Sequence, residues 1–384
     1  MFNNRVCREV RMSRPASRRR GAALILAVAL MFVLFSVLAF SIDTGYLSQA
    51  RAEIRRTADA AAMAGCWELY SQMDQGVEGD ESYQSVRSAA SAMAGMNPVC
   101  RVNPTVDDSE TTQEIAIGFL GDLSGTISTD DSLPYYAVQV DIHKTPDHDG
   151  QVPYFFGRIF GDTGRSMDSS ATAVFARRIS GFKTPDEYST LDVLPFALDV
   201  DTWNNMMDGT TMDDDFSYES GGVVSGSDGI YEVNLYPQGT GSPGNRGTVD
   251  IGGANNSTND IARQIVDGIS KGDLEDLGKP LSLEGGLTLN GDTGISAGVK
   301  DELASIIGQK RIIPLFSSVS GNGNNANYTI VRWVGVRILD VKLTGKMSGK
   351  KLIVQPAPVL ARNAIVSTSS ESSDYVLSPV YLAR

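Results

Sequence analysis

Residues 21–42 form an uninterrupted apolar stretch, GAALILAVALMFVLFSVLAFSI, which limits what this chain can fold into. As an α-helix, the stretch extends roughly 33 Å, because each residue adds about 1.5 Å, and the hydrocarbon core of a bilayer is about 30 Å thick. A charge-free helix of this length is typical of a membrane span. The stretch therefore predicts a transmembrane helix.

The charges on either side of this stretch predict its orientation. Seven arginines and a single glutamate precede it, and Asp43 follows it directly. Positively charged flanks remain in the cytosol, so residues 1–20 form a basic cytosolic tail. We therefore expect a single-pass membrane protein, with every residue after the span exported.

Two other interpretations of the stretch involve cleavage. A signal peptide has a similar basic start, but its apolar part is usually about 7–15 residues long, and only Ala39-Phe40-Ser41 offers a small-x-small cleavage site. A pilin-type leader would be cut before the span, and a glutamate is usual near the fifth mature residue. Leu26 occupies that place if Gly21 ends the leader. Both alternatives fit less well than an uncleaved span.

The net charge of −13 conceals an uneven distribution. The residues after Ile42 hold 26 basic and 45 acidic side chains. An acidic surface of this kind repels phosphate groups, so we expect no nucleic-acid partner. About 340 residues follow the span, enough for two compact domains or one large β-rich domain.

The cysteines divide between two compartments in this topology. Cys7 lies in the reducing cytosol, whereas Cys66 and Cys100 lie on the oxidising side. The sequence therefore predicts a disulfide between Cys66 and Cys100. The alternative is two separately buried thiols, because free cysteine often behaves as a small apolar residue.

An amphipathic helix over residues 43–70 is predicted to continue the span. Its apolar side chains recur at a spacing of three and four residues, at Leu47, Ala50, Ile54, Ala58, Ala61 and Ala64. Charged residues occupy the other face, including Arg55 and Arg56. The apolar face could pack on the protein's own domain, or its alanines could let another helix approach closely.

Several short segments of this region follow one another in a characteristic order. They are Arg20-Gly21-Ala22, Asp43-Thr44-Gly45-Tyr46-Leu47, Arg51-Ala52-Glu53-Ile54 and Ala58-Asp59-Ala60-Ala61-Ala62-Met63-Ala64-Gly65. Together they resemble the N-terminal signature of TadG-like proteins, which belong to the bacterial Tad/Flp pilus machinery. The resemblance implies a non-enzymatic membrane protein whose partners are that machinery and its minor pilins.

The remainder of the chain is predicted to be rich in β-strands. A helix is expected at residues 85–95, and two further short helices are marked by Ile261, Ile265 and Ile269 and by Val299, Leu303 and Ile307. Residues 152–160 fit either a short helix or a buried strand. Alternating or β-branched segments predict strands at residues 113–120, 134–143, 169–177, 191–200, 229–236, 311–319, 328–343 and 351–355.

The overall prediction is an α+β fold with a transmembrane helix, an amphipathic helix and a β-rich exported region. Gly, Pro and charge at residues 181–187 indicate a boundary between a mixed domain, residues 71–180, and a β-rich domain, residues 181–384. The glycine motifs at residues 237–253 and 291–294 also resemble exported TadG-like domains.

Signals for catalysis are weak in this sequence. Gly239, Gly241 and Gly244 match G-x-G-x-x-G, but no helix start follows them to hold a pyrophosphate. The two histidines, His143 and His148, have no nucleophile pattern around them. We therefore expect no enzymatic activity, no cofactor and no small-molecule substrate.

Calcium is the ion that the sequence best supports. Hard oxygen ligands occur close together at Asp199, Asp201, Asp208, Asp213, Asp214 and Asp215. The twelve-residue calcium loop with a closing glutamate is missing, so a solvated acidic loop is the alternative. Some TadG-like proteins carry a von Willebrand factor A domain, but neither Asp107-Asp108-Ser109 nor Asp168-Ser169-Ser170 fits its D-x-S-x-S motif in the required context.

The expected role is positioning or stabilising the pilus on the exported side. The predicted contact with partner helices comprises Asp43, Gly45, Arg55, Arg56, Ala58, Ala61 and Ala64. Charge reversal at Arg55 and Arg56 together with Ala61→Glu is expected to uncouple assembly without unfolding the exported domain. The alternative is a membrane-anchored surface adhesin or ligand-binding module, which calcium dependence would favour.

Overall fold

The computed structural model describes residues 20–75, 80–219, 221–236, 246–253, 257–292, 294–321, 326–368 and 372–383. Residues 1–19 of the predicted tail, with Cys7, lie outside these ranges. So do Thr293 of the second glycine motif and the glycines of the G-x-G-x-x-G pattern.

The described residues form six α-helices, of which two precede all the strands. The first two are long, and the others are short segments between strands. They are α1 (Arg20–Asp74), α2 (Asp80–Met96), α3 (Val200–Met207), α4 (Thr258–Asp267), α5 (Lys271–Leu277) and α6 (Lys300–Ser305).

The first helix, α1, has two parts with opposite surroundings. The large apolar side chains from Leu24 to Ile42 are 42–73 % exposed on all sides of the helix. Beyond Ile42 one face is buried, including Ala50, Ile54 and Leu69. The helix runs unbroken through both parts. By its length and composition it could cross a membrane.

Strands are the main regular elements of the described chain after α2. The first group is β1 (Ile115–Leu120), β2 (Tyr135–Lys144), β3 (Val152–Pro153), β4 (Gly164–Arg165), β5 (Met167–Ala176) and β6 (Ile179–Phe182). The second is β7 (Phe196–Asp199), β8 (Phe216–Glu219), β9 (Gly222–Ser225), β10 (Val233–Asn234), β11 (Arg246–Val249), β12 (Leu281–Ser282) and β13 (Leu287–Asp292). The third is β14 (Lys310–Ser320), β15 (Ala326–Lys342), β16 (Lys351–Pro356), β17 (Val359–Leu360), β18 (Ala364–Val366), β19 (Ser373–Asp374), β20 (Val376–Leu377) and β21 (Tyr381–Leu382).

The helix–sheet unit consists of α1 beyond Ile42, α2 and an antiparallel sheet in the order β1-β2-β5-β21. Alternation in β2 turns Val138, Val140 and Ile142 towards α1, where they join one hydrophobic core with both helices. This is the face that the alternation predicts. Since β21 pairs with β5, the chain returns to this sheet after forming the second unit.

The second unit is built on a closed ring of described strands in the order β7-β11-β13-β15-β14. The ring closes because β14 pairs with β15 on one side and with β7 on the other. Side chains from each of these strands, such as Ala197, Val249 and Tyr328, share one core. Their neighbours, such as Phe196 and Val334, join a second core with α3, α4 and α6. We call this unit the barrel.

The α+β fold class predicted from the sequence is confirmed, and most predicted strands are present. The predicted strand at residues 191–200 is shorter: β7 begins after Pro195, and helix α3 begins at Val200. The carboxylate of Asp199 accepts a hydrogen bond from the backbone N–H of Thr202 at 2.8 Å. This N-cap bond ends the strand, because it satisfies an N–H that the first turn of a helix leaves without a partner.

Candidate functional site at the start of the exported helix

The residue that follows the apolar stretch, Asp43, joins α1 to a distant segment. Its carboxylate is only 8 % exposed. Oδ1 accepts the backbone N–H of Phe155 at 2.8 Å, and Oδ2 accepts that of Gly157 at 2.8 Å. The N–H of Phe156 lies 3.2 Å from both oxygens. One side chain therefore fixes three consecutive amides.

These amides need a partner because they lead into a tight 3-10 turn, Gly157–Phe160. The first N–H groups of such a turn have no partner within it, and Asp43 supplies one. Gly157 is required here, since a Cβ would lie within 3.0 Å of the ring of Tyr154. Gly161 ends the turn with a φ of 94°, a conformation that glycine adopts without strain.

The same three amides keep the Asp43 carboxyl ionised. Burial opposes its ionisation, but the N–H groups of Phe155, Phe156 and Gly157 outweigh this effect, so the pKa of Asp43 lies below its ordinary value. A charged acceptor makes stronger hydrogen bonds than a neutral one. The contact between α1 and the turn is therefore held by charge-assisted bonds.

A groove of about 380 Å³ runs between α1 and the hairpin of β3 and β4. On one side it follows a single face of α1, and on the other it follows the 3-10 turn and β4. Its lining residues are Ser36, Ala39, Phe40, Asp43, Thr44, Leu47, Arg51, Tyr154, Phe156, Gly157, Phe160, Asp162 and Arg165. Next to the groove the rings of Tyr46 and Phe155 meet edge-on, with centroids 4.9 Å apart. Along α1 the lining of the groove changes from the apolar side chains of Ala39 and Phe40 to the charged side chain of Arg51.

The alanine face of α1 is already occupied within the chain. Ala58 and Ala61 are fully buried in the core of the helix–sheet unit. One turn further on, a Cβ on Gly65 would lie 3.1 Å from Val138 and 3.2 Å from Ala90. The small residues therefore let α2 and β2 approach α1 closely. This corrects the hypothesis that Ala58 and Ala61 contact a partner helix.

The other residues of the predicted helix interface differ in accessibility. Gly45, Arg55 and Arg56 are exposed, and Ala64 is partly buried. Asp43 is engaged by the 3-10 turn and is not available to a partner. Of the predicted interface, the structure leaves Gly45 and the arginine pair accessible.

The predicted disulfide does not form, and both Cys66 and Cys100 are free. The N–H of Cys100 donates to Oε2 of Glu53 on α1 at 2.7 Å, which places Cys100 beside residue 53. Cys66 lies thirteen residues further along the same helix, or about 20 Å at 1.5 Å per residue. A disulfide requires Cα atoms within about 7 Å, so this prediction was wrong.

Glu53 is a positioning residue that the sequence pattern does not single out. Besides Cys100, it accepts a hydrogen bond from the amide of Gln49 at 2.8 Å. Cys100 itself has a φ of 52°, a left-handed conformation that this bond helps to hold. Local spacing shows that Glu53 lies opposite the apolar face, but it carries no signal for a partner 47 residues away.

Two of the six aspartates proposed as calcium ligands have structural partners. Asp199 caps α3, and the carboxylate of Asp214 accepts hydrogen bonds from the backbone N–H groups of Asp228 and Gly229. In the part of the chain that the structure describes, no group of three or more His, Cys, Asp or Glu side chains is arranged to hold a metal. Calcium binding remains a prediction.

Comparison with protein families covers the region that contains this site. Residues 21–73 match the family described as Flp pilus-assembly TadE/G-like, and residues 59–174 match the family described as Tad-like Flp pilus-assembly. The predicted resemblance to TadG-like proteins is confirmed. Together the two matches cover residues 21–174, which we call the Tad-like region. It contains α1 beyond Arg20, α2 and β1 to β4, and it extends into β5. The comparisons with curated proteins and with solved structures give no match.

Both families are pilus-assembly families, so the Tad-like region indicates involvement in Tad/Flp pilus assembly. The Asp43 contact joins two parts of this region, because α1 and residues 155–157 both lie inside it. The resemblance beyond residue 180, based on glycine motifs, remains a prediction.

Replacing Asp43 by alanine is expected to release the segment that it holds. Without the carboxylate, the amides of Phe155, Phe156 and Gly157 lose their acceptor, and their hydrogen exchange accelerates. Hydrogen-exchange mass spectrometry of the full chain in detergent measures this change. Thr44→Ala is the matched control, since the hydroxyl of Thr44 bonds only within its own helix. Equal exchange in both variants would contradict the role assigned to Asp43.

Proposed function

We propose that this chain is a non-enzymatic, single-pass membrane component of Tad/Flp pilus assembly. Residues 21–42 would span the inner membrane with the N-terminus in the cytosol. The helix–sheet unit and the barrel would then lie on the exported side, where they position or stabilise the pilus. The family matches support the assembly role, and the exposed apolar stretch supports the span.

The observation that carries this proposal is the continuity of α1. One unbroken helix contains both the exposed apolar stretch and the face that packs on the antiparallel sheet. A rigid connection of this kind transmits the direction of the span to the exported units. A flexible linker would not, because it behaves as a random coil. The continuity therefore supports a role that depends on orientation.

The end of α1 makes a second contact that supports this role. Asp74, in the last turn, forms an ion pair with Lys310 at the start of β14. Asp74 and Lys310 side chains are both partly buried, which reduces screening by salt. The exported part of α1 is therefore held at its start by the contact of Asp43 with the 3-10 turn and at its end by the ion pair of Asp74 with the barrel.

The partner surface that we propose is the exposed pair Arg55 and Arg56. These side chains lie on α1 away from the buried alanines. Two adjacent positive charges suit an acidic helix of a minor pilin or of the assembly platform. Electrostatic complementarity of this type sets the orientation and rate of association.

Pilus counts by electron microscopy test the proposal. Cells that lack the gene are expected to lose surface pili, and the unaltered gene should restore them. The variant Arg55→Glu/Arg56→Glu should accumulate normally in the membrane but fail to restore pili. Lys346→Glu/Arg362→Glu is the matched control, because it reverses the same number of exposed charges at positions after β15. This control should restore pili fully.

Two other outcomes of the same counts would change the assignment. Normal pili in cells that lack the gene would remove the assembly role. If their attachment to surfaces is nevertheless reduced, the adhesin alternative would replace it. Full restoration by Arg55→Glu/Arg56→Glu would move the partner contact away from these arginines while leaving the assembly role in place.

A further inference from the structure

An aromatic turn, residues 154–160, presents an unusual apolar surface beside α1. Phe155 is 60 % exposed, Ile159 77 % and Phe160 81 %, while Phe156 is 37 % exposed. Four large apolar side chains thus face outward within six residues. Exposed clusters of this type mark sites where a protein meets a membrane or another protein.

The position of the aromatic turn relative to α1 is fixed by specific contacts. Asp43 binds the amides of Phe155 and Gly157, and the ring of Phe155 packs on Tyr46. Phe156 and Phe160 line the groove together with Phe40, which belongs to the apolar stretch. The aromatic turn therefore lies level with the last helical turn of that stretch.

We propose that the aromatic turn inserts into the interfacial region of the bilayer next to the point where α1 leaves it. This inference rests on the proposed membrane placement of residues 21–42. A helix of about 33 Å in a core of about 30 Å puts Phe40 at the edge of the hydrocarbon. A turn fixed at the same level reaches the zone between acyl chains and headgroups.

Lipid fits this surface for two reasons. The apolar surface of the turn is continuous with that of the stretch, whose exposed side chains include Phe40 at 73 %. Arginines also lie at the polar margin: Arg158 is exposed within the turn, and Arg51 and Arg165 line the groove. Arginine extends its apolar stem along such a surface while its guanidinium binds lipid phosphates.

This insertion gives the exported units a second attachment to the membrane. A single helix can tilt within a bilayer, whereas a helix with an adjacent inserted turn cannot tilt away from that side without withdrawing apolar rings from lipid. Burying such side chains is favourable by about 25 cal/mol for each Å² removed from water. The aromatic turn would thus limit the tilt of α1 and of the exported units attached to it.

Quenching by brominated lipids tests this insertion. The full chain is reconstituted into vesicles of phosphatidylethanolamine and phosphatidylglycerol, with or without bromine on the acyl chains. Phe160→Trp provides the fluorophore, and its signal is read as the difference from the parent, which contains Trp67, Trp203 and Trp333. We expect the added tryptophan to show a blue shift and a loss of intensity in brominated vesicles.

Two control variants separate the possible failures. Tyr188→Trp is placed on a side chain that is 95 % exposed, in the loop between β6 and β7, and should not be quenched. Phe32→Trp, within the apolar stretch, should be quenched strongly. If Phe32→Trp is quenched but Phe160→Trp behaves like Tyr188→Trp, insertion of the turn is refuted and the span stands. If Phe32→Trp is not quenched, both the span and the insertion are refuted.

A partner protein on the aromatic turn would give a different signature. In that case Phe160→Trp would be blue-shifted in the assembled complex but would not respond to bromine in the vesicles. This result would also overturn insertion into lipid, and it would reassign the turn to a protein contact.

Discussion

Replacing Ala61 by glutamate is expected to unfold the helix–sheet unit. Ala61 is fully buried in the core that α1, α2 and the antiparallel sheet share. A glutamate there would place a carboxylate without a partner among apolar side chains. Mutations that bury an unpaired charge belong to the group that costs about 4–5 kcal/mol or more.

Thermal unfolding of the full chain in detergent, followed by circular dichroism, measures this effect. A cost of this size should lower the Tm by roughly 10 °C or more, since 1 kcal/mol shifts the Tm of a domain of this size by about 2–4 °C. Ala52→Glu is the matched control. It makes the same change at an exposed position of the same helix and should change the free energy of unfolding by less than about 0.5 kcal/mol.

This result would separate the two interpretations of the alanine face. If the face packed only against another protein, Ala61→Glu would abolish pili while leaving the Tm of the isolated chain unchanged. From the sequence alone, charge reversal at Arg55 and Arg56 together with Ala61→Glu is expected to uncouple assembly without unfolding the exported domain. The structure reverses this expectation, because the position needed for assembly in that hypothesis is part of the protein's own core.

The alanine face also shows what sequence spacing can and cannot predict. Alanines at a spacing of three and four residues identify a helix face that something approaches closely. They do not identify what approaches, because Ala58 and Ala61 would look the same against a sheet or a partner helix. The structure identifies the neighbours, because a Cβ on Gly65 would lie 3.1 Å from Val138 of β2 and 3.2 Å from Ala90 of α2.

Local patterns predicted the elements whose own side chains show a regular period. The alternation of Tyr136, Val138 and Val140 predicted both the strand β2 and its buried face. The apolar stretch likewise predicted a helix, and its large apolar side chains are exposed in the structure. In each case, the period of the side chains is a property of the element itself.

Contacts between distant segments could not be predicted in this way. Asp43 and the amides that it binds are separated by 112 to 114 residues. Nothing in the run VPYFFGRIF indicates that its amides need a carboxylate from α1. The pairing of β14 with both β7 and β15 similarly depends on how the whole ring closes. Such contacts follow from packing, which a linear pattern does not encode.

Glu232 is a second position at which a local pattern was insufficient. Alternation in residues 229–236 puts Glu232 opposite Val233, so an exposed carboxylate would be expected. The residue is only 4 % exposed, and its Oε1 accepts the backbone N–H groups of Asp215 at 3.1 Å and Phe216 at 2.7 Å. It thereby ties the hairpin of β8 and β9 to the edge of the barrel.

Burial raises the pKa of Glu232 to about 7. The two N–H bonds oppose this rise, and the nearby charges of Asp215 and Asp214 add to it. In the unfolded chain the carboxyl loses its proton near its ordinary pKa of 4.5. Between these two values the folded state binds more protons than the unfolded state. The contribution of Glu232 to the free energy of unfolding therefore falls as the pH rises from about 4.5 to about 7.

The expected result is that Glu232→Gln stabilises the protein at pH 8 but not at pH 5. Glutamine keeps an Oε1 that can accept both N–H bonds, and it removes the buried charge. The gain at pH 8 should reach up to about 3 kcal/mol, because each pKa unit is worth about 1.4 kcal/mol. Urea unfolding of the full chain in detergent measures it, with the fully buried Trp203 and Trp333 as fluorescent reporters.

Two features of this experiment isolate Glu232 from other carboxyls. Asp250 also has a raised pKa, about 6, caused by its burial and then by the charge of Asp292. It remains in the variant, so the difference between variant and parent cancels its contribution. Glu219→Gln, at an exposed position of the same hairpin, should have the same small effect at both pH values. If Glu232→Gln instead destabilises the protein equally at pH 5 and pH 8, Glu232 acts through its shape and hydrogen bonds, and its buried charge carries no cost.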